Sequence, residues 1–311
     1  MPNMEIITLS SNHDGLPLSV AMLAPKGNIK ALVQLAHGMA EHKERYFPLM
    51  GFLAERGYAS IINDHRGHGA SVRSADDLGY FYKDGGRGLV KDLHQLTLFF
   101  RARYPGRKLF LIGHSMGSLA VREYAARYGR DIDGLVVSGS PGMNPAAGAG
   151  LVLTNLMSLI HGGSHGKSPL LDKMINGPFS RRFPESPFAW LSANRENVAA
   201  YERDPLCGFP FTINGYRALL NLMRAAYDTR LNVPRSLPVH FMSGADDPCA
   251  PDRAGFDAAV ENMKKRGSAR VTAHMYPSLR HEIFNEGDPQ VLEDLADVLD
   301  GWTGEEAEGE S

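Results

Sequence analysis

The chain has 311 residues, 43% of them hydrophobic and 22% charged, which is typical of a globular protein with one large domain or a domain and an insertion. A formal net charge of −2 excludes nucleic-acid binding through a basic surface. Two cysteines exclude a disulfide framework, and we see no signal-peptide pattern and no long apolar run, so we expect a cytoplasmic protein without a membrane span.

The first part of the chain predicts an antiparallel hairpin, because two strand-like runs flank an Asp14-Gly15 turn. Two buried strands follow, and each is a short apolar run that ends in a polar loop containing His and Gly. Strands that alternate with helices indicate a mostly parallel sheet covered on both faces. These predicted strands are residues 5–9, 18–23, 31–36 and 58–63, and the predicted helices are 46–56 and 89–104.

A glycine-flanked serine comes next, as Gly113-His114-Ser115-Met116-Gly117 stands between four apolar residues and a helix-like run. Strand, serine turn and helix are the context of a nucleophile elbow. Because the two glycines lack Cβ atoms, strand and helix can approach closely, and the turn lifts the serine hydroxyl above the sheet. The Met116 N–H would then face an oxyanion formed beside Ser115. The alternative is a glycine-rich turn without chemistry.

The alternation of strands and helices stops near residue 143 and resumes near residue 237. The stretch between them holds helical patterns separated by Gly, Pro and Ser, so it predicts a helical lid above the carboxyl edge of the sheet. Its run 151–160 has more apolar residues than one buried stripe needs. That surface predicts an acyl pocket, a contact with a membrane or lipid interface, or simple packing on the core. The lid residues that we expect to bind substrate are Leu151, Leu156, Met157 and Ile160.

Further strands are predicted over 109–112, 239–243 and 271–276, and polar residues follow them in the chain order Ser, Asp, His. Since carboxyl ends of parallel strands meet at one edge of a sheet, Ser115, Asp247 and His281 are expected to lie together. A serine needs a base with a pKa near neutrality, and a histidine base needs a carboxylate that sets its tautomer. We prefer Asp247 to Asp246 because Asp247 stands at the loop apex, where Pro248 stiffens the turn.

A second oxyanion donor is expected from the loop that follows the 31–36 strand, and the backbone N–H of Met39 is the candidate. We interpret His37 in that loop as a buried structural histidine. His65 and His68 stand close together, but without identifiable carboxylate partners they make a poor metal site. We therefore predict no metal and no cofactor.

Six motifs occur together over nearly the whole chain: His37–His42 with Arg45-Tyr46, Asp64–Gly69 with Ser71, Gly113–Gly117, Tyr201 with Asp204–Leu206, Gly244 with Asp247, and His281-Glu282 with Asn285-Glu286. In combination they resemble the monoacylglycerol lipase and lysophospholipase branch of the α/β-hydrolases, a group also described as serine aminopeptidase-like. The resemblance implies an α/β-hydrolase fold with a mostly parallel eight-stranded sheet, helices on both faces and a lid over a lipid-accepting tunnel. It also implies a Ser115-Asp247-His281 triad and an oxyanion hole from Met39 and Met116.

The function expected from this resemblance is hydrolysis of the ester of a single-chain lipid, a monoacylglycerol or a lysophospholipid, through an acyl-enzyme. A general carboxylesterase for short or xenobiotic esters is the first alternative, and a non-catalytic scaffold is another. A peptidase would need acidic residues for the substrate amine, and Glu185, Glu196 and Glu202 are scattered. The predicted organisation is a core over 1–142 and 238–302, a lid over 143–237 and a disordered acidic tail over 303–311.

Overall fold

A single β-sheet forms the centre of the protein in the computed structural model, which describes residues 4–250 and 252–304. The strands run in the order β1-β2-β4-β3-β5-β6-β7-β8, and β2 is antiparallel to both of its neighbours while the pairs from β4 to β8 are parallel. The predicted α/β class and mostly parallel eight-stranded sheet are confirmed. The strands are β1 (Glu5–Ser10), β2 (Pro17–Leu23), β3 (Ala31–Ala36), β4 (Tyr58–Asn63), β5 (Leu109–His114), β6 (Gly134–Ser138), β7 (Pro238–Gly244) and β8 (Arg270–Tyr276).

Helices cover both faces of the sheet. The apolar residues of β3, β4 and β5 are buried on both sides, which explains why these strands are continuous apolar runs in the sequence. The helices are α1 (Phe47–Glu55), α2 (Gly85–Arg103), α3 (Met116–Tyr128), α4 (Ala147–Ile160), α5 (Pro169–Arg182), α6 (Arg195–Arg203), α7 (Ile213–Tyr227), α8 (Arg253–Lys265) and α9 (Pro289–Gly304). Short 3-10 helices are Lys43–Tyr46, Ala75–Asp77, Gly129–Asp131, Ala189–Leu191 and Ile283–Asn285.

The sheet divides the apolar core into two layers. One layer packs α2, α3 and α8 against the sheet, with α7 packed on α2 and α3, and the other packs α1 and α9 against the opposite face. Because α7 contributes buried residues such as Leu219 and Leu222 to the first layer, the segment between β6 and β7 is anchored in the core rather than only laid over it.

The strand register brings the loops of the candidate site together. Ala36 at the end of β3 pairs with Gly113 near the end of β5, and Gly244 at the end of β7 pairs with Tyr276 at the end of β8. The loops that leave these four strand ends therefore emerge at one edge of the sheet. They carry Met39, Ser115, Asp247 and His281, respectively.

The segment between β6 and β7, residues 143–237, contains α4 to α7, and we refer to it as the helical insertion. Its helix α4 exposes large apolar side chains, including Leu159 at 85% and Ile160 at 69% exposure. None of the helices in the described residues is long and apolar enough to cross a membrane.

The C-terminal helix is longer than the sequence indicated. The predicted tail begins at residue 303, but α9 continues through Thr303 to Gly304. The prediction ends the helix at Trp302 because residues 303–311 are acidic and nearly devoid of apolar side chains, and a difference of two residues is ordinary at a helix end. Residues 305–311 lie outside the described residues.

Trp302 of α9 packs against the sheet, and substituting it tests how much this contact stabilises the fold. Its ring lies 5.6 Å from that of Phe110, and it fills the space above the missing side chain of Gly134. Because Trp302 is partly exposed, we expect Trp302→Ala to lower the free energy of unfolding by about 2 kcal/mol, less than a fully buried aromatic would. Urea denaturation measures this change.

The matched control is Gly301→Ala, since an added Cβ there meets no atom within 4 Å. That change is expected to raise the free energy of unfolding by about 0.5 to 1 kcal/mol through helix propensity. Equal stability of the two variants would contradict the packing described for Trp302.

Candidate active site

Ser115 sits on a strained turn between β5 and α3. Its backbone has φ 53° and ψ −118°, a conformation that residues other than glycine rarely adopt. A Cβ at Gly113 would meet the backbone of Gly117, and a Cβ at Gly117 would collide with the carbonyl oxygens of Ala36 and His37. Both glycines are therefore needed for β5, α3 and the end of β3 to approach this closely.

The carboxylate of Asp247 binds the imidazole of His281 at the adjacent edge of the sheet. Asp247 Oδ2 lies 2.9 Å from His281 Nδ1, and Oδ1 accepts the Cys249 N–H at 2.8 Å. Both side chains are fully buried. Burial by itself would lower the pKa of His281, but the Asp247 charge and hydrogen bond raise it well above its ordinary value. Burial would raise the pKa of Asp247, and the His281 charge outweighs it and lowers that pKa.

Asp246 and Asp247 differ sharply in surroundings. The Asp246 side chain is 50% exposed and lies 3.6 Å from the Arg182 guanidinium, whereas Asp247 is completely buried against His281. A buried carboxylate that accepts the Nδ1–H fixes the histidine tautomer with Nε2 free to accept a proton. The geometry therefore joins Asp247, and not Asp246, to His281.

Ser115 and His281 face the same cavity. Within the described part of the chain no hydrogen bond joins the Ser115 hydroxyl to His281, whose Nε2 lies 3.9 Å from the Cys249 sulfur. In structures without substrate, hydrogen bonds of this kind are often long and tighten when the substrate binds.

The backbone N–H groups on either side of Met39 both donate hydrogen bonds. Gly38 N donates to Glu41 Oε1 at 2.5 Å, and Ala40 N donates to His68 Nε2 at 3.2 Å. Among the described residues Met39 N–H has no acceptor, and Met116 is the first residue of α3, so its N–H has none within the helix. The loop passes close to the nucleophile, because a Cβ on Gly38 would stand 3.2 Å from the Ser115 Cβ.

Three buried histidines, His37, His65 and His68, lie in and beside this loop and form hydrogen bonds with the backbone. His37 Nε2 accepts the His65 N–H at 2.9 Å, and the His37 and His65 rings are 4.0 Å apart. Burial lowers the pKa of His65 to about 3 and that of His68 to about 4, and burial followed by the neighbouring rings lowers that of His37. All three are therefore neutral at physiological pH and act as hydrogen-bonding partners of the backbone.

An ion-pair network that we did not assign from the sequence connects the two halves of the site. Arg45 donates to Glu41 at 2.7 Å, to both oxygens of Glu282 at 2.5 and 2.6 Å, and to Asn197 at 2.9 Å. Burial would raise the pKa of Glu282, but Arg45 lowers it to about 2. Glu41 binds Gly38 N, and Glu282 follows His281 in the chain. The sequence motifs quoted above contain Glu41, Arg45 and Glu282, but nothing in those motifs indicates which residue binds which.

The cavity beside Ser115 has a volume of about 360 Å³ and mostly apolar walls. Helix α5 forms one wall with Ile175 and Phe179, and α7 forms another with Leu219 and Met223. Further lining side chains include Met39, Phe188, Trp190, Leu191, Tyr201 and Phe209.

The prediction that α4 lines the substrate pocket does not match this cavity. Leu151, Leu156, Met157 and Ile160 are not among its lining residues, and Leu156 and Ile160 are more than half exposed. The apolar run of α4 is compatible with a pocket wall, a lipid-interface contact or packing on the core, because periodicity cannot tell an inward face from an outward one. Helix α5, which contains Pro178 and has a weaker apolar pattern, lines the cavity instead, together with α7.

Among the residues that the structure describes, two groups of side chains bring potential metal ligands within 4.8 Å of one another, namely His42 with Asp204 and Cys207, and Asp247 with Cys249 and His281. Their chemistry favours other uses. Both ring nitrogens of His42 are bound by carboxylates, which raise its pKa although burial opposes them. Burial raises the pKa of Cys249 to about 11, so this sulfur is a thiol and a weak ligand.

Comparison with known proteins identifies the family. The family model described as "Serine aminopeptidase, S33" matches residues 27–288. The chain belongs to the serine aminopeptidase S33 family. It is 28% identical over 291 residues to a monoacylglycerol lipase of Mycolicibacterium smegmatis, covering 90% of this chain and 92% of that relative.

Two further relatives of this S33 member are informative. The monoglyceride lipase of Homo sapiens is 28% identical, covering 94% of this chain and 88% of that protein. A highly thermostable carboxyl esterase from Bacillus coagulans, solved in complex with glycerol, superposes with a TM-score of 0.90 at 26% identity, covering 97% of this chain and all of that one. The sequence-based resemblance to α/β-hydrolases of the monoacylglycerol lipase type is thus confirmed.

The two adjacent acids can be separated by substitution. We expect Asp247→Asn to lower kcat on the order of 10³- to 10⁴-fold, because an amide no longer holds the required His281 tautomer. Asp246→Asn should lower kcat less than two-fold, since Asp246 is exposed. The opposite ranking would assign the acid to Asp246.

The pH dependence of kcat/KM should also report the pairing of His281 with Asp247. Neutral His281 is needed as the base, so kcat/KM falls as pH falls through its pKa. Because Asp247 raises that pKa, the midpoint should lie above the ordinary histidine value of about 6.5. In the Asp247→Asn protein the midpoint of the residual activity should move to lower pH. A wild-type rate that is flat from pH 5 to 9 would argue against a histidine base.

Proposed function

We propose that this protein is a serine hydrolase that cleaves the carboxylic ester of single-chain lipids, monoacylglycerols or lysophospholipids. The observation that carries the proposal is the apolar cavity of about 360 Å³ that opens beside Ser115 and the Asp247-paired His281. The relatives named monoacylglycerol lipase and monoglyceride lipase, which align along most of this chain, support the same substrate class.

The reaction follows from the arrangement of polar groups. His281 Nε2 accepts the Ser115 proton while the serine oxygen attacks the ester carbonyl, and Asp247 stabilises the imidazolium that forms. The N–H groups of Met39 and Met116 donate to the oxyanion. His281 then protonates the leaving alcohol, and an acyl-enzyme remains on Ser115. Water activated by the same histidine releases the fatty acid.

The size of the cavity favours one acyl chain. Its volume is at the lower end of the range of about 300 to 1,000 Å³ found for small-molecule sites, and its walls are largely apolar. A triacylglycerol would leave two chains in water or displace the helical insertion. Lys173 and Asn176 of α5 also line the cavity and offer polar groups to the head of the substrate.

The walls of the cavity argue against peptide hydrolysis. The acidic residues considered for binding a substrate amine, Glu185, Glu196 and Glu202, do not line it. Three acids do line it, and each already has partners within the protein: Glu41 and Glu282 share Arg45, and Asp172 accepts hydrogen bonds from the Tyr216 hydroxyl and the Asn176 amide. A general carboxylesterase remains the second candidate, and the similarity to the carboxyl esterase of Bacillus coagulans favours it.

The helical insertion over residues 143–237 acts as the lid in this proposal, above the core formed by 1–142 and 238–302. Its outer surface carries exposed Val152, Leu156, Leu159 and Ile160 on α4, a patch suited to contact with a lipid interface. We place the protein in the cytoplasm because both cysteines are free thiols.

The nucleophile is tested by Ser115→Ala. We expect a folded protein with at least ~10³-fold lower kcat on monoolein, because the acyl-enzyme can no longer form. A fluorophosphonate probe should label Ser115 in the wild type and nothing in the variant. Labelling of another serine, or full activity of the variant, would contradict the proposal.

The substrate class is tested with p-nitrophenyl esters of increasing chain length. Each buried methylene contributes about 0.8 kcal/mol, so kcat/KM should rise about four-fold per carbon until the cavity is full. Ile175→Asp should flatten this rise while acetate hydrolysis is kept, since Ile175 lines the cavity.

Leu156→Asp is the matched lid control, because Leu156 lies on the exposed face of α4. It should keep the chain-length profile and weaken binding to lipid vesicles. If acetate esters are the best substrates, the general carboxylesterase replaces the lipase.

A further inference from the structure

Ala40, the residue that follows the proposed oxyanion donor Met39, has an unusual backbone. Its φ is 51°, in the left-handed region that favours glycine, and its side chain is packed in the core with 4% exposure. This conformation is less favourable for an alanine than for a glycine, so surrounding contacts must hold the Ala40 backbone in it.

Hydrogen bonds hold both polar groups of Ala40. Its N–H donates to His68 Nε2 at 3.2 Å, which comes from the core turn after β4. Its carbonyl oxygen accepts two bonds, from the Tyr201 hydroxyl at 2.8 Å and from the Gly208 N–H at 2.9 Å. Both of these donors belong to the helical insertion, so the insertion reaches into the oxyanion loop and not only over the cavity.

Tyr201 is well placed to be a rigid donor. It is almost fully buried at the end of α6, and the Arg45 guanidinium lies 4.8 Å from its ring centroid. The ring of Phe188 lies 5.0 Å away on the insertion side. Burial raises the pKa of Tyr201 well above its ordinary value, so the hydroxyl keeps its proton and donates it. The ring therefore has little freedom to turn the hydroxyl elsewhere.

We propose that Tyr201 is a positioning residue that couples the helical insertion to the oxyanion hole by holding Ala40 in its left-handed conformation. With this clamp in place, the Met39 N–H points toward the carbonyl oxygen of the substrate. Without the Tyr201 and Gly208 hydrogen bonds the Ala40 carbonyl is released and the strained loop relaxes. The oxyanion hole is then complete only while the insertion makes these contacts. This inference rests on the proposed function of Ser115 and Met39.

The first test is Tyr201→Phe, which keeps the ring and removes the hydroxyl. We expect kcat to fall roughly 10-fold, because a misdirected oxyanion donor is less costly than a deleted one, for which losses of about 10²- to 10³-fold are typical. KM should change less than two-fold. The loss should be equal for p-nitrophenyl acetate and p-nitrophenyl laurate, since the acetate cannot reach the acyl walls of the cavity.

The matched control is Tyr124→Phe, which removes the hydroxyl of another buried tyrosine, one that donates to Thr97 at 2.9 Å far from the site. Its kcat should stay within two-fold of the wild type. Thermal unfolding of both variants checks that each is folded at the assay temperature.

The second test is rescue by Ala40→Gly in the Tyr201→Phe background. A glycine adopts positive φ without a Cβ penalty, so the loop needs the clamp less, and kcat should recover at least three-fold. A trifluoromethyl ketone, whose adduct with serine carries an oxyanion, should bind about 10-fold more weakly to Tyr201→Phe and regain affinity in the double variant.

A wild-type kcat in Tyr201→Phe, a loss confined to KM, or a double variant no more active than Tyr201→Phe would each overturn the coupling. These outcomes are separate from failure of the proposed function. If Ser115→Ala is inactive and the wild type hydrolyses both esters, the serine chemistry stands whatever Tyr201→Phe shows. If Ser115→Ala is fully active, the proposed function fails first and this inference fails with it.

Discussion

The close approach of β5, α3 and the end of β3 is the constraint on which the rest of the site depends. A side chain at Gly117 would collide with the carbonyl oxygens of Ala36 and His37, so the serine turn and the Met39 loop come together only because that position is bare. This close approach leaves the Ser115 backbone strained, and the buried strands on either side hold it in that conformation. Such strain persists because the parallel sheet is too rigid to relax it.

The buried carboxylates around the site lie against cationic groups. Asp247 is paired with His281, and Glu41 and Glu282 share Arg45. Isolated charges of this kind would cost several kcal/mol each, whereas removal of one partner from such a pair typically destabilises a protein by about 3 to 5 kcal/mol. The pairs also connect segments far apart in the chain, so the position of His281 depends on the same arginine as the loop of Gly38.

The helical insertion contributes to the site in two different ways. Through α5 and α7 it forms the apolar walls of the cavity, and through Tyr201 and Gly208 it binds the backbone of Ala40. Its outer helix α4 does neither and exposes its apolar residues. One segment therefore shapes the space for the substrate, supports the oxyanion loop and presents a surface of its own.

The sequence by itself determined the sheet, the serine turn and the order of the polar loops, because strand periodicity, glycine and polar residues at strand ends are local signals. It also separated Asp247 from Asp246 through loop position, in agreement with their burial. Only the tertiary structure decided which insertion helix lines the cavity and which residues pair with Arg45. Those features depend on the direction in which a helix faces and on contacts between distant parts of the chain: Arg45 binds Asn197, 152 positions away, and Glu282, 237 positions away. No local pattern records either.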